Sequence, residues 1–231
     1  MSIELIPVHG IPEVRTGDDL ATLIARSAEV QAGDVLVITQ KVVSKAEGAL
    51  VEVDPDDPLA HKALVEQEAV RVLRRRGDLV ITETKHGFVC ANAGIDRSNL
   101  DPGVAALLPR DPDRSARRIR DRLRSATGAE VGVIISDTFG RPWRRGLVDV
   151  AIGCAGIAAI VDLRGSEDSA GRELQVTEVA VADELAAAAE LVMGKADGVP
   201  VAIVRGVDPG WLRESSVKAE LVRDPAEDLF R

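Results

Sequence analysis

Residues 136–146, SDTFGRPWRRG, follow the apolar run VGVII and crowd Asp137, Thr138, Arg141, Arg144, Arg145 and one of the two tryptophans into a single stretch. A turn after a buried strand needs Gly, Pro and Asp. It does not need three arginines. A second segment, NAGIDRSN at 92–99, has the same design: an apolar stretch leads out to Asp96, with Asn99 shortly after it. Carboxylates at strand ends followed by polar loops supply the oxygen ligands of a hard divalent cation, and Mg2+ takes only one or two of them, completing its shell with water and phosphate oxygens. One aspartate from each segment would suffice. The competing reading is that each aspartate caps a turn, for which Asp-Arg-Ser-Asn and Asp-Thr-Phe-Gly are good sequences. Beside such a cation, Arg141, Arg144 and Arg145 could clamp phosphate or carboxylate oxygens in bidentate fashion; as bystanders they form a solvated charge cluster.

A phosphate site normally leaves a glycine trace, yet neither a Walker-type loop nor a strand–GxGxxG–helix unit is present. Weaker candidates remain. HGIPEV at 9–14 is a turn whose N–H groups could face an anion, and TQKVVSKAEG at 39–48 carries Lys41 and Lys45 just past a strand. VMGKADGVP at 192–200 joins a helix to a strand through two glycines, and GSEDSAGREL at 165–174 adds Arg172 in an acidic turn. His9, His61 and His86 have no metal-ligand spacing, and without a GxSxG motif or a Cys/His pair covalent nucleophilic catalysis has little support.

These positions must be held by elements. Strands are expected at 34–39, 78–84, 88–95, 131–136, 148–156, 157–162 and 199–206, each β-branched and bounded by Gly or Asp. Helices are expected at 17–29, 57–76, 113–127 and 177–192. The second ends in Arg74-Arg75-Arg76-Gly77, a cationic C-terminus with a glycine stop, and the last opens on Thr177 as N-cap. In 113–127 the apolar stripe is Ala116, Ile119, Leu123 and Ala126. Strands both cluster and alternate with helices, so the expected class is α+β, a mixed sheet with flanking helices, in one domain over 1–231.

The 231 residues are 45% hydrophobic with only 2% aromatic, so the core must be built from Val, Leu, Ile and Ala. A net charge of −9 argues against a nucleic-acid partner. No run reaches the roughly 18 apolar residues of a membrane span, and the N-terminus reads as no signal peptide. Cys90 and Cys154 lie in apolar runs and read as reduced core residues of a cytoplasmic protein.

Taken together, GDVLVITQKVVSKAEG, VCANAGIDRSN, SDTFGRPWRRG and ADELAAAAELVMGKADGVPVAIVRG closely resemble the coenzyme F420:L-glutamate ligase (coenzyme F420-0 gamma-glutamyl ligase) family, from about residue 5 to 206. In actinobacterial members this domain is the first half of a longer protein with a flavin-binding partner domain, and the ending RDPAEDLFR resembles the start of such a continuation. The resemblance implies a GTP-dependent homodimeric ligase that adds L-glutamate to coenzyme F420-0, then further γ-linked glutamates, using two Mg2+ or Mn2+ ions. A metal-dependent phosphotransferase with another acceptor, or a GTP-binding regulatory domain without catalysis, is the alternative. Carried over, Asp96 and Asp137 match ligands of one metal and Thr138 a ligand of the second. Ile11, Pro12, Glu13, Val14, Gln40, Lys41, Lys45, Asn99, Met193, Gly194, Lys195, Ala196, Asp197, Gly198 and Val199 match nucleotide-contacting positions. Lys45 is assigned to phosphate charge, and Arg144, with Arg141 and Arg145, to the acceptor carboxylate or incoming glutamate. One position departs: the family often has Gln or Glu where this chain has Lys195. An ammonium has no lone pair for a cation, which calls the second metal into question or lets Lys195 replace that ion's charge.

Overall fold

The computed structural model describes residues 2–229. In chain order the elements are β1 (Glu4–Pro7), α1 (Leu20–Ser27), β2 (Val35–Thr39), α2 (Gln40–Glu47), β3 (Leu50–Glu52), α3 (Lys62–Glu68), β4 (Ala69–Arg76), β5 (Leu79–Thr84), β6 (Val89–Ala91), β7 (Val104–Ala106), α4 (Pro112–Thr127), β8 (Gly132–Arg141), β9 (Arg144–Ala155), β10 (Val161–Asp162), β11 (Glu178–Val179), α5 (Val181–Met193), β12 (Val201–Arg205) and α6 (Val217–Glu220). The class is α+β, as expected.

The main sheet runs β1-β12-β2-β8-β9. Only the β2–β8 pair is parallel; the other three pairings are antiparallel. Residues 35–38, 132–136 and 201–204 are buried without a break, the mark of strands covered on both faces. Helix α4 packs on β8 and β9, and α5 packs on β9, β12 and β1. Aliphatic side chains and alanines dominate this core, which also holds Phe88, Cys154 and Met193. A smaller core of Val65, Val80, Ala93, Ile95 and Ala105 lies by the three-stranded sheet β4-β5-β6.

The direction of each strand decides where the site falls. β1 and β2 end, and β12 begins, at the same edge of the main sheet, level with Ser136 in the middle of β8. Thr39 is in register with Ser136, the Thr39 N–H donates to Pro200 O at 2.9 Å, and the Val8 N–H donates to Val201 O at 2.9 Å. The segments that follow β1 and β2, the one that precedes β12, and residues 136–138 of β8 therefore meet.

Several expectations are corrected. Residues 57–76 are not one helix. Helix α3 stops at Glu68, and Ala69–Arg76 pairs with β5 as β4. Val70 and Val72 alternate with arginines, a period of two that a strand satisfies, and Gly77 serves the β4–β5 turn rather than a helix end. The strand expected over 157–162 survives only as Val161–Asp162. Gly156, at φ 71°, takes the chain off the edge of β9, and the next N–H groups go to Trp211 O and Ser215 Oγ instead of a strand. Thr177 caps no helix, because β11 intervenes and α5 begins at Val181. Of the α4 stripe, Ala116, Ile119 and Leu123 are buried, whereas Ala126 is exposed. Residues 88–95 form a strand only to Ala91; Asn92 and Ala93 turn with positive φ. The ending RDPAEDLFR is described only to Leu229, Phe230 and Arg231 lying outside the described residues.

Candidate active site

A cavity of about 320 Å3 opens where the four segments meet. Its lining includes Ile11, Pro12, Glu13 and Val14 after β1, and Gln40, Lys41 and Lys45 of α2. Asp96 and Asn99, then Ser136, Asp137 and Thr138 of β8 and Asp149 of β9, make further wall, and Glu190, Gly194, Lys195, Ala196, Gly198 and Val199 close it. Most of the candidates read from the sequence thus line one space.

Each side chain is aimed by its local structure. Lys41 and Lys45 are one helical turn apart, so both lie on the face of α2 that looks into the cavity. Gln40, only 2% exposed, uses its amide on Ser44 Oγ (2.6 Å) and Leu107 O (2.9 Å) and so forms floor. Ile95 is anchored in the smaller core, and Asp96 exchanges backbone hydrogen bonds with Ala106. This isolated bridge, not the end of the expected 88–95 strand, presents the Asp96 carboxylate. Phe88 meets Phe139 edge-on at 6.3 Å and ties the small sheet to β8 one residue past Thr138. Asn99, at φ 54°, donates from Nδ2 to Lys195 O at 3.3 Å and links the two loops across the cavity. Gly194 has φ 63° and ψ 151°, a backbone conformation that side chains rarely adopt, so that tight loop requires glycine.

The lysines stand in exchangeable pairs. Lys41 Nζ lies 2.8 Å from Asp96 Oδ2 and donates to Ser98 Oγ at 2.8 Å; Lys45 Nζ lies 2.5 Å from Glu13 Oε1. The two lysine side chains are only 16% and 12% exposed, so an entering anion would gain either ammonium by replacing its carboxylate partner.

The carboxylates are less comfortable. Asp137 accepts the Thr138 N–H at 2.9 Å. Burial pushes its carboxyl up to about 7; the charges of Asp96 and Asp149 add to this, while the Thr138 N–H and Lys195 oppose it. Burial acts on Asp96 too, but the Lys41 and Ser98 hydrogen bonds outweigh it and hold that carboxyl below its ordinary value. Glu190 is raised by burial and by Asp149.

Asp149 was not anticipated. It is 3% exposed and sits opposite Thr138 on β9. Ser136 Oγ donates to its Oδ2 at 2.9 Å and Thr138 Oγ1 to its Oδ1 at 2.7 Å. An acid inside the apolar stretch VDVAIG was the available signal, because a buried carboxylate needs partners.

Other candidates fall outside. Met193 is wholly buried at the end of α5 and packs in the main core, and Asp197 does not line the cavity. Arg144 is corrected as a catalytic residue, and Arg141 and Arg145 with it. β8 does not stop at Asp137 but runs on to Arg141, turns at Pro142 and Trp143, and returns as β9. At about 3.3 Å per residue the hairpin carries these arginines some 13 Å along the strand, where all three are exposed and none lines the cavity. Arg172 lies in an exposed turn closed by the Glu167–Glu173 bridge.

Among the described residues no cluster of three or more His, Cys, Asp or Glu side chains could hold a metal alone. A cation bound by Asp96 and Asp137 would have to share its coordination with water or a bound anion, which is what Mg2+ does. The lining carries Glu13, Asp96, Asp137, Asp149 and Glu190 against Lys41, Lys45 and Lys195, an excess of acids that an added cation would offset for an entering anion.

A mixed sheet here gathers lysines and carboxylates around one cleft, an arrangement suited to an enzyme that handles charged groups. The F420-0:Gamma-glutamyl ligase family matches residues 10–206. A coenzyme F420:L-glutamate ligase of Methanopyrus kandleri is 50% identical, covering 100% of this chain and 98% of that protein. One of Methanothermobacter thermautotrophicus is 48% identical with 100% of both covered, and one of Archaeoglobus fulgidus 42% identical, covering 100% of this chain and 97% of its own. The chain belongs to the F420-0:gamma-glutamyl ligase family and is a ligase. These relatives match end to end, so they lend no support to the additional flavin-binding domain of the two-domain form.

Proposed function

We propose that the chain joins the amino group of L-glutamate to the carboxylate of coenzyme F420-0 at the expense of GTP, then extends the product with γ-linked glutamates. The observation that carries this reading is the family match over residues 10–206, with relatives matched along nearly their full length bearing the name coenzyme F420:L-glutamate ligase.

A carboxylate is a poor electrophile and must be activated. In the proposed course its oxygen attacks the γ-phosphorus of GTP, the bond to the β-bridging oxygen breaks, and GDP leaves. The glutamate amine then attacks the acyl carbon, inorganic phosphate departs, and the amine gives up a proton. The protein's share of such a reaction is positioning and charge neutralisation. Lys41 and Lys45 would leave Asp96 and Glu13 for phosphate oxygens, and the opening of α2 faces the same space, where helix N–H groups favour an anion. The loops 11–14 and 194–199, with Asn99, would hold the rest of the nucleotide. Asp96, freed from Lys41, and Asp137 would hold Mg2+ or Mn2+, which when bound draws negative charge off the phosphate oxygens.

The proposal keeps the homodimer. Exposed apolar side chains on the small sheet, Val70, Val72, Leu79 and Val89, support a covered face there. It also keeps the cytoplasm, which suits two free, buried cysteines. No helix among the described residues is long and apolar enough to cross a membrane.

The test is incubation with GTP, Mg2+, L-glutamate and coenzyme F420-0. GDP formed only when both acceptor and glutamate are present, with glutamate incorporated by mass, supports the ligase. GDP without incorporation points to a phosphotransferase, and tight GTP binding without turnover to a regulatory domain.

A further inference from the structure

The resemblance brought with it a second divalent ion, placed on the Thr138 hydroxyl. The residues around that hydroxyl do not fit one. Thr138 Oγ1 donates its proton to Asp149 Oδ1 at 2.7 Å and accepts a hydrogen bond from Lys195 Nζ, also at 2.7 Å. Any ion ligated by this oxygen would share it with an ammonium, which repels the ion and has no lone pair to offer. Asp149, the nearby carboxylate, is already committed: Ser136 Oγ holds its other oxygen at 2.9 Å.

What a second cation would supply is present in another form. Lys195 reaches from the 194–200 loop across to β8, and its charge acts on Asp137 and Glu190 as well as at Thr138. The loop is fixed for this: Asn99 Nδ2 holds the carbonyl of Lys195 itself at 3.3 Å. We infer that the Lys195 ammonium is a built-in cation standing where a second divalent ion would bind, so that this chain takes a single divalent ion, at Asp96 and Asp137. The inference rests on the cation reading given under the proposed function.

Binding of Mn2+ alone to the purified full chain, by equilibrium dialysis with electron paramagnetic resonance of the free ion, tests it without recourse to activity. The native chain is expected to bind a single Mn2+. Lys195→Gln removes the ammonium and adds an oxygen donor; its stoichiometry should double. Lys195→Arg should stay at a single ion, and Lys195→Gln combined with Thr138→Val should lose the added one. Lys195 is an exposed loop residue, and thermal denaturation confirms that each variant is folded. Two ions on the native chain, or no gain in Lys195→Gln, overturns the inference while leaving the first site intact. No Mn2+ on any of the proteins overturns the cation reading and the inference with it.

Discussion

Asp137 is buried near two other carboxylates, with the Thr138 N–H and the Lys195 charge to steady it, and its chemistry follows from that company. Its ordinary value is 3.8 and its value in the fold about 7. The folded chain therefore holds this proton more tightly than the unfolded chain. The stability gained is fully present below pH 3.8 and is lost as pH rises through about 7. Above that, the metal-free protein buries an ionised acid. Calorimetry should show Tm falling across this window, less so in Asp137→Asn, and Mn2+ should raise Tm more at about pH 8 than at about pH 6. An identical pH profile in the two proteins would refute the assignment. Asp137→Asn should also lower turnover by at least about 100-fold, since even residues behind metal ligands cost 10–100-fold, with the circular dichroism of the native fold retained. Lys45→Met should raise the KM for the nucleotide about tenfold or more, the worth of one charge-assisted hydrogen bond; steady-state kinetics over a GTP series reads it.

Among the elements, α4 and β9 are joined by one buried acid. Asp113, 6% exposed at the start of α4, accepts the N–H groups of Cys154 (2.9 Å), Val217 (2.8 Å) and Lys218 (3.1 Å). Asp113→Ala would strand three donors and should cost about 3–5 kcal/mol in urea denaturation, leaving the distant cavity unchanged in nucleotide affinity. A loss under about 1 kcal/mol would remove this carboxylate from the fold's framework. The sequence made β2 and the first half of β8 legible as short, unbroken apolar runs, β5 by its alternation, and most of the α4 stripe by its spacing of three and four. It misled at 57–76, where charges suited to a helix end equally suit a hairpin, and only pairing with β5 decides. The same limit governs the site. Asp96, Asp137, Lys41 and Lys45 stood out by residue type at strand ends, but nothing local could show that β8 continues past Asp137 and carries Arg144 away. Asp149 was hidden because its role depends on the register that sets it opposite Thr138.

For the whole molecule, the cavity is a product of strand direction rather than of any one motif, so its pieces span residues 11 to 200 of the chain. The exposed arginine hairpin lies outside it. Arg144→Ala is therefore expected to leave kcat and KM within about twofold, as surface changes usually do; a large loss of kcat in the glutamate-incorporation assay would return that arginine to the chemistry. The sheet order has another effect. β12, the last strand of the main sheet to be made, inserts between β1 and β2, the first two. A nascent chain emerging from the ribosome thus carries two open strand edges, ready templates for mispairing, until residue 205 is clear of the exit tunnel. Non-local closure of this kind is slow, and it makes the growing polypeptide a natural client for chaperones during synthesis.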